Sequence, residues 1–289
     1  MPDLKPADSP MMEKRFKLGT TSFIFPDHII PNVRKLGAFF DEIELLVFES
    51  QPEDVLPSNE DVQTLLSLSQ QLNLTYNIHL PFDVSLTGAS LEKRQKAVDT
   101  LLGVIDRFAP LTPTTHTLHL DMPPEMKKEI PHQRLLKKWQ QRTRKGLDSL
   151  LTKLAHPGII SIETLDYPFS LVEDLVAEFN LSVCIDAGHQ IKYGHNLLET
   201  FEKHQSKTPV IHLHGVSFAH GPVKDHTALD KLPDHHFRQV QTILEKFTGV
   251  VSLEVFNFEN LNRSLTFLSR RFKNIPLPNC HTQARSPLL

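Results

Sequence analysis

Short apolar runs alternate with longer segments of helical periodicity along most of the chain. Apolar runs without strict polar alternation are typical of strands buried on both faces of a parallel sheet, and the helical segments between them are typical of crossover helices. The pattern predicts eight strands, at residues 16–23, 42–49, 74–80, 115–121, 159–165, 182–188, 209–215 and 250–256.

The segments between these runs carry helical periodicity and helix start signals. Two of them read EDVQTLLSLSQQL and SLEKRQKAVDTLLGVIDRF, and the longest extends from His132 to Leu154. Ser170 and Glu173 lie three residues apart at the start of another segment. This spacing predicts a capping box, in which each of the two side chains accepts a hydrogen bond from the other residue's backbone N–H.

Eight strand–helix repeats occur without a linker rich in Pro, Gly or Ser to divide the chain. This organisation predicts the α/β class and a single (β/α)8 TIM barrel rather than a doubly wound sheet, and 289 residues suit such a barrel. The predicted layout is a polar N-terminal leader over residues 1–15, the barrel over 16–275 and a flexible tail over 276–289.

Composition and charge exclude several classes of protein. The net charge of −3 supplies no overall basic field for a nucleic-acid backbone, so no nucleic-acid partner is expected. Cys184 lies in an apolar run and Cys280 in the polar tail, which predicts no disulfide. The first residues contain no apolar signal core and no later run reaches the length of a membrane span, so we expect a cytoplasmic protein without a membrane contact.

Polar residues stand at the carboxyl end of nearly every predicted strand. Because those ends meet at one face of a barrel, the side chains are expected to converge there, and imidazoles with carboxylates suit zinc, manganese or iron. In chain order these residues are Glu49, His79, His119, Glu163, Asp186, His189, His212, His214 and Glu254.

The segment SVCIDAGH places Asp186 and His189 directly after the sixth strand, and Gly188 is expected to permit a sharp turn that brings them together. In the loop FAHGPVKDHTAL, Asp225 and His226 are predicted metal ligands, and His220 stays open.

His212 and His214 share one face of the seventh strand because they are two residues apart. We expect His212 to be the ligand and His214 to contact the substrate or to hydrogen-bond a ligand.

This number of ligand candidates exceeds what one ion uses, so two or three ions bridged by carboxylates are expected. Paired ions suit the hydrolysis of phosphate esters. The predicted catalytic residues are Glu163, Glu254 and His119, with the two glutamates as bridges or general base.

The set His79, His119, Glu163, Asp186, His189, His212, His226 and Glu254 resembles the metal site of the xylose-isomerase-like barrels, above all the endonuclease IV branch. That resemblance implies a trinuclear zinc cluster that hydrolyses phosphodiesters. One departure lies in the loop after the seventh strand, where Asp225 and His226 are adjacent, whereas the endonuclease pattern separates its Asp and His by one residue.

Longer segments resemble the cobamide-remodelling phosphodiesterase family. They read LGTTSFIFPDHIIPNVRKL, DEIELLVFES, TYNIHLPFD, ETLDYPFSLVEDL, LSVCIDAGHQIKYG, VIHLHGV, KDHTAL and SLEVFN. The resemblance implies a cobamide substrate and hydrolysis of the phosphoester of its nucleotide loop, giving cobinamide phosphate and an α-ribazole-type nucleoside.

For such a substrate, aromatic side chains near the mouth are expected to receive the corrin or the benzimidazole. The candidates are Phe23, Phe25, Tyr167 and Phe169, and Glu49 and His214 are further candidates for substrate contact.

Three other functions fit parts of the pattern. A sugar isomerase or epimerase would use one divalent ion held by Glu163, Asp186, His212 and Glu254. A DNA-repair endonuclease would need a basic surface that the net charge does not supply. A cobamide carrier without catalysis would need no multinuclear ligand set.

Overall fold

Eight parallel strands close into a barrel in the computed structural model, which describes residues 11–47, 56–127, 133–219 and 221–277. All eight predicted barrel strands are confirmed, and each is shorter than its apolar run. The barrel strands are β1 (Lys17–Thr21), β2 (Glu42–Leu46), β3 (Thr75–His79), β4 (His116–Leu118), β5 (Ile160–Glu163), β6 (Ser182–Asp186), β7 (Val210–Leu213) and β10 (Val250–Leu253).

Helices connect the strands and cover the outside of the barrel. They are α1 (Ile29–Leu36), α2 (Asn59–Leu72), α3 (Leu91–Phe108), α4 (Pro124–Lys127), α5 (Gln133–Leu151), α6 (Glu173–Glu178), α7 (Ala187–Lys192), α8 (Leu197–His204), α9 (Asp234–Leu244) and α10 (Phe258–Ser269). Their apolar faces pack on the barrel, and Val98, Trp139, Leu147 and Leu265 are among the fully buried residues of this layer. The α/β barrel fold predicted from the sequence is therefore confirmed.

The capping box occurs at a different helix from the predicted one. Ser58 and Asp61 form it at the start of α2, where each side chain accepts the other residue's backbone N–H. The prediction at Ser170 is wrong because residues 169–171 form a 3-10 turn. The carboxylate of Glu173 instead pairs with Lys203 and His204 on the outer surface.

A two-stranded antiparallel hairpin stands above β7, where the sequence predicted a loop. Its strands are β8 (Gly215–Ser217) and β9 (Lys224–Thr227). A Cβ atom at Gly215 would overlap the carbonyl of Ala228, so the close approach of the backbone requires glycine there. The hairpin carries His226 back over the mouth of the barrel.

The lower part of the barrel interior is more polar than is usual for this fold. The buried carboxylate of Glu42 accepts hydrogen bonds from Thr75 Oγ1, Asn77 Nδ2 and Thr114 Oγ1 at 2.6, 2.8 and 2.5 Å. These three donors satisfy the hydrogen-bonding capacity of the buried carboxyl group within the barrel.

The two ends of the described chain meet on the outside of the barrel. Met12 N donates to Arg271 O at 2.9 Å, and Lys273 N donates to Met12 O at 2.8 Å. Residues 1–10 of the predicted leader and 278–289 of the predicted tail lie outside the described residues. Within the described residues, no helix has the length and apolar character needed to cross a membrane.

Candidate metal centre

Histidines and carboxylates at the carboxyl ends of six barrel strands, in helix α7 and in the hairpin converge at the mouth of the barrel. Each is buried or half-buried. The residues so assembled are His79, His119, Glu163, Asp186, His189, His212, His214, His226 and Glu254. Glu49 and His220, two further candidates from the sequence, lie outside the described residues.

Glu163 is the centre of the arrangement and is 1% exposed. Its Oε2 lies 2.9 Å from His119 Nε2 and 3.4 Å from His79 Nε2, and its Oε1 lies 3.4 Å from His189 Nδ1. The ligand atoms of His79, His119 and Glu163 all lie within 4.8 Å of one another. We refer to these three residues as the first ligand group.

A second ligand group consists of Glu163, Asp186 and His212, whose ligand atoms also lie within 4.8 Å of one another. Glu254 adjoins it, because its Oε2 lies 3.4 Å from His212 Nδ1. Glu163 therefore belongs to both groups, as a carboxylate that bridges two ions would.

Glu44 supports the second group from below and was not singled out in the sequence. Its Oε1 lies 2.8 Å from His212 Nε2, and Ser252 Oγ donates to its Oε2 at 2.6 Å. A carboxylate on one imidazole nitrogen leaves the other nitrogen to face a metal. The available signal was the pair of glutamates two residues apart in the buried run EIELL, where both side chains must face the same side.

Asp186 both ends β6 and caps helix α7. Its Oδ1 accepts the backbone N–H of His189 at 2.7 Å, and its Oδ2 lies 3.2 Å from His189 Nδ1. The predicted proximity of the two side chains thus arises from the first turn of a helix.

Gly188 is needed for a different reason from the predicted sharp turn. It lies within α7, and a Cβ atom there would overlap the imidazole of His214. The residue is glycine because the ring and the helix backbone approach each other closely.

His214 contacts Asp186, one of the predicted ligands. Its Nε2 lies 3.2 Å from Asp186 Oδ1, and its Nδ1 accepts the backbone N–H of His226 at 3.0 Å. That bond helps to hold His226 in the left-handed conformation, with φ of 48°.

A third ligand group is formed by His189, His214 and His226. Asp225, predicted as a ligand beside His226, pairs with Lys192 Nζ at 2.6 Å and lies 3.9 Å from His189 Nε2. It belongs to none of the ligand groups found among the described residues.

The first two groups fit divalent metal ions. Two ligand atoms about 2.1 Å from one ion are separated by roughly 3.0–3.4 Å. In these two groups and at Glu254, the imidazole nitrogens lie 2.9–3.7 Å from the carboxylate oxygens, in or near that range. Among the described residues, His189 Nδ1, His212 Nδ1 and Glu254 Oε2 are buried and have no hydrogen-bond partner. Buried polar atoms of this kind call for a ligand such as a cation.

Without a bound metal ion, the negative charge of the carboxylates favours the protonated form of the neighbouring imidazoles. Burial lowers the pKa of His189, but Asp186, Glu163 and Glu254 outweigh it and raise the pKa to about 10. The same balance of burial against neighbouring carboxylates raises the pKa of His79 and His214. Burial opposes ionisation of Glu163, but the neighbouring histidines lower its pKa well below the usual range.

We therefore expect metal binding to release protons and to strengthen as pH rises from about 6 to 8. The sign follows from the raised pKa values of His79 and His212: the neighbouring carboxylates favour the protonated imidazoles, and a ligating nitrogen must lose its proton. Calorimetric zinc titrations in two buffers of different ionisation enthalpy would measure the number of protons released. We expect about one or more protons per zinc ion. Affinity that does not change with pH would contradict the assignment of these histidines as ligands.

Exposed aromatic side chains surround the mouth. Phe23, Phe82, Tyr193 and Phe218 are 41–48% exposed and lie in segments that follow the carboxyl ends of β1, β3, β6 and β7. Phe82 and Tyr193 also face the site, with ring centroids 6.5 Å from His119 and 6.2 Å from His189. We refer to the four residues as the aromatic rim.

The other predicted aromatic contacts differ from one another. Tyr167 is 1% exposed, its hydroxyl donates to Leu120 O and its ring packs edge-on against Trp139. The prediction of a substrate contact for Tyr167 is therefore wrong, and the buried Phe169 is likewise a packing residue. Phe25 is half-buried and stacks on Phe258 at 5.6 Å.

The family model described as xylose isomerase-like TIM barrel matches residues 30–271. No curated protein matches the chain. The solved structures that are similar to this chain include three at 14–19% identity, which indicates a shared fold.

A D-tagatose 3-epimerase-like protein is 19% identical, with a TM-score of 0.67 over 89% of this chain and 97% of the other. IolI protein with a binding zinc atom is 15% identical, with a TM-score of 0.69 over 89% and 100%. The 3-keto-D-glucoside 4-epimerase YcjR from E. coli is 14% identical, with a TM-score of 0.64 over 88% and 99%.

Proposed function

The chain belongs to the xylose isomerase-like TIM barrel family, and from this premise we propose that it is a metal-dependent phosphodiesterase acting on the nucleotide loop of cobamides. One observation carries the proposal. Glu163 is shared by two ligand groups, one with His79 and His119 and one with Asp186 and His212. Two adjacent divalent ions held in this way suit the displacement of an oxygen from a phosphate ester.

Zinc or manganese ions, when bound, would supply Lewis-acid stabilisation of the phosphoryl oxygens and a water of lowered pKa. Iron has the same ligand preferences and is a third option. Glu163 would hold the two ions at a fixed separation. Glu254 has an unpartnered Oε2 beside His212 and is the carboxylate best placed to ligate an ion or accept a proton. His119 has a side chain 19% exposed, so it stands where the substrate would enter.

The proposed substrate class rests on the sequence resemblance and on the aromatic rim. A corrin ring and a benzimidazole are large flat surfaces that aromatic side chains contact well. Phe82 and Tyr193 of the aromatic rim face the candidate site and offer such contacts. Hydrolysis would join the oxygen of a water to phosphorus and break the bond between phosphorus and the nucleoside oxygen. A carboxylate would accept the proton of the water and pass it to the departing oxygen, which gives cobinamide phosphate and an α-ribazole-type nucleoside.

A second candidate is a sugar isomerase or epimerase that uses one ion. Glu163, Asp186, His212 and Glu254 suffice for such a site, and the two glutamates would move a proton next to a carbonyl. The names of the similar structures favour this candidate over the first, since two are epimerases or epimerase-like. It leaves His79 and His119 without a role, although both contact Glu163.

The deciding experiment incubates the zinc- or manganese-loaded protein with adenosylcobalamin and, separately, with ketoses. We expect release of an α-ribazole-type nucleoside, which chromatography and the corrin spectrum would detect. Metal analysis of the same sample is expected to give about two ions per chain. His119→Ala is expected to lose the hydrolysis and one ion, since it removes a ligand of the first group. His235→Ala, at an exposed histidine of α9, is the matched control.

A different set of results would support the sugar isomerase or epimerase. Intact cobamide, about one ion per chain and epimerisation of a ketose that persists in His119→Ala would replace the phosphodiesterase by the second candidate.

A further inference from the structure

Helix α7 ends in a lysine that points back to the ligand groups. Lys192 Nζ lies 2.6 Å from Asp225 Oδ2, and the two side chains are 20% and 24% exposed. His189 Nε2 lies 3.9 Å from the same oxygen. The carboxylate of Asp225 thus already has a cationic partner, which it approaches more closely than it approaches the His189 imidazole.

The third ligand group is further weakened by the hydrogen bonds of His214. Its Nδ1 accepts the backbone N–H of His226, and its Nε2 faces Asp186 at 3.2 Å. Both ring nitrogens therefore have partners within the protein. His226 Nδ1 also lies 3.1 Å from the carbonyl oxygen of Glu254, so the ring nitrogen of His226 that remains to bind a metal ion is Nε2. The carboxylates nearest to His189 and His226 are those of Asp186 and Glu254, which lie at the second group, and that of Asp225, which Lys192 already pairs. Little uncompensated negative charge is therefore left for a third ion.

We propose that the ammonium group of Lys192 stands in place of a third metal ion, so that the chain binds two ions and uses a fixed side-chain cation beside them. The proposal rests on the proposed function, because it assumes the two ligand groups that share Glu163. An ammonium at this position neutralises Asp225 and repels a divalent ion. It also presents a positive charge to the phosphate of a substrate bound at the mouth.

The test measures zinc per chain by elemental analysis after equilibrium dialysis of the full-length protein. We expect two ions in the wild type, three in Lys192→Met, which frees Asp225, and two in the double variant Lys192→Met/Asp225→Asn. Lys192→Arg keeps the cation and is expected to bind two. The matched control is Lys203→Met, which removes an exposed lysine paired with Glu173 on the outer surface.

Three ions in the wild type, reduced to two in Asp225→Asn, would overturn the proposal even if Lys192→Met failed to fold. Two ions in both the wild type and a folded Lys192→Met would also overturn it, while the dinuclear phosphodiesterase would stand. One ion in every variant would overturn this proposal together with the dinuclear site.

Discussion

Replacing Glu163 by glutamine is expected to lower kcat/KM for the hydrolysis by at least about 10³-fold and to reduce bound zinc from two ions to at most one. The amide has the shape of the carboxylate but lacks its charge, so it cannot bridge two cations. It also removes the negative charge that His79, His119 and His189 all face. Steady-state kinetics and metal analysis on the same preparation would measure both effects.

Glu173→Gln is the matched control for this substitution, because Glu173 pairs with Lys203 and His204 on the outer surface of the barrel. It should leave both the kinetics and the zinc content unchanged. Full zinc content in Glu163→Gln would show that the two groups do not share this residue, and the phosphodiesterase mechanism would lose its central feature.

Gly188→Ala is expected to destabilise the protein by about 1–3 kcal/mol and to weaken metal binding by about 10–100-fold. The new methyl group would overlap the His214 ring, which contacts Asp186 and the backbone of His226. Displacing that ring disturbs Asp186, a candidate ligand of the second group, and the hairpin backbone at His226 above it. Thermal unfolding of the metal-free protein and zinc titration would measure the two effects.

Gly103→Ala is the control, since no atom lies within 4 Å of a Cβ at this position in α3. Alanine there should be neutral or stabilise by up to about 1 kcal/mol. A double-mutant cycle with His214→Ala adds a sharper test, because the overlap exists only when the ring is present. Equal costs of Gly188→Ala with and without the ring would refute this explanation.

The barrel and the location of its candidate site were predictable from sequence because both depend on local patterns. Apolar runs indicate the strands, and a polar residue at the end of each run, such as His79 or Glu254, stands at the same face in any parallel barrel. No knowledge of the distance between strands was needed.

The other features depend on contacts between distant segments, which local patterns do not encode. Tyr167 follows a strand just as an exposed aromatic residue would, and the three-dimensional structure shows that its ring turns toward Trp139. The partner of Lys192 lies 33 residues away in the hairpin. The reason for Gly188 lies at the end of β7, since its neighbour is the His214 ring.

The closing of the barrel has a consequence for how the chain folds as it is synthesised. Strand β1 pairs with β10, and Thr20 and Thr21 donate their hydroxyl hydrogens to Leu253 and Val255 carbonyls. Strand β1 pairs with β2 on one side, but its other edge must wait for the last strand. Contacts of such long sequence separation form slowly and leave strand edges open meanwhile. Because β10 also delivers Glu254, a nascent chain gains its full ligand set only at the step that seals the barrel.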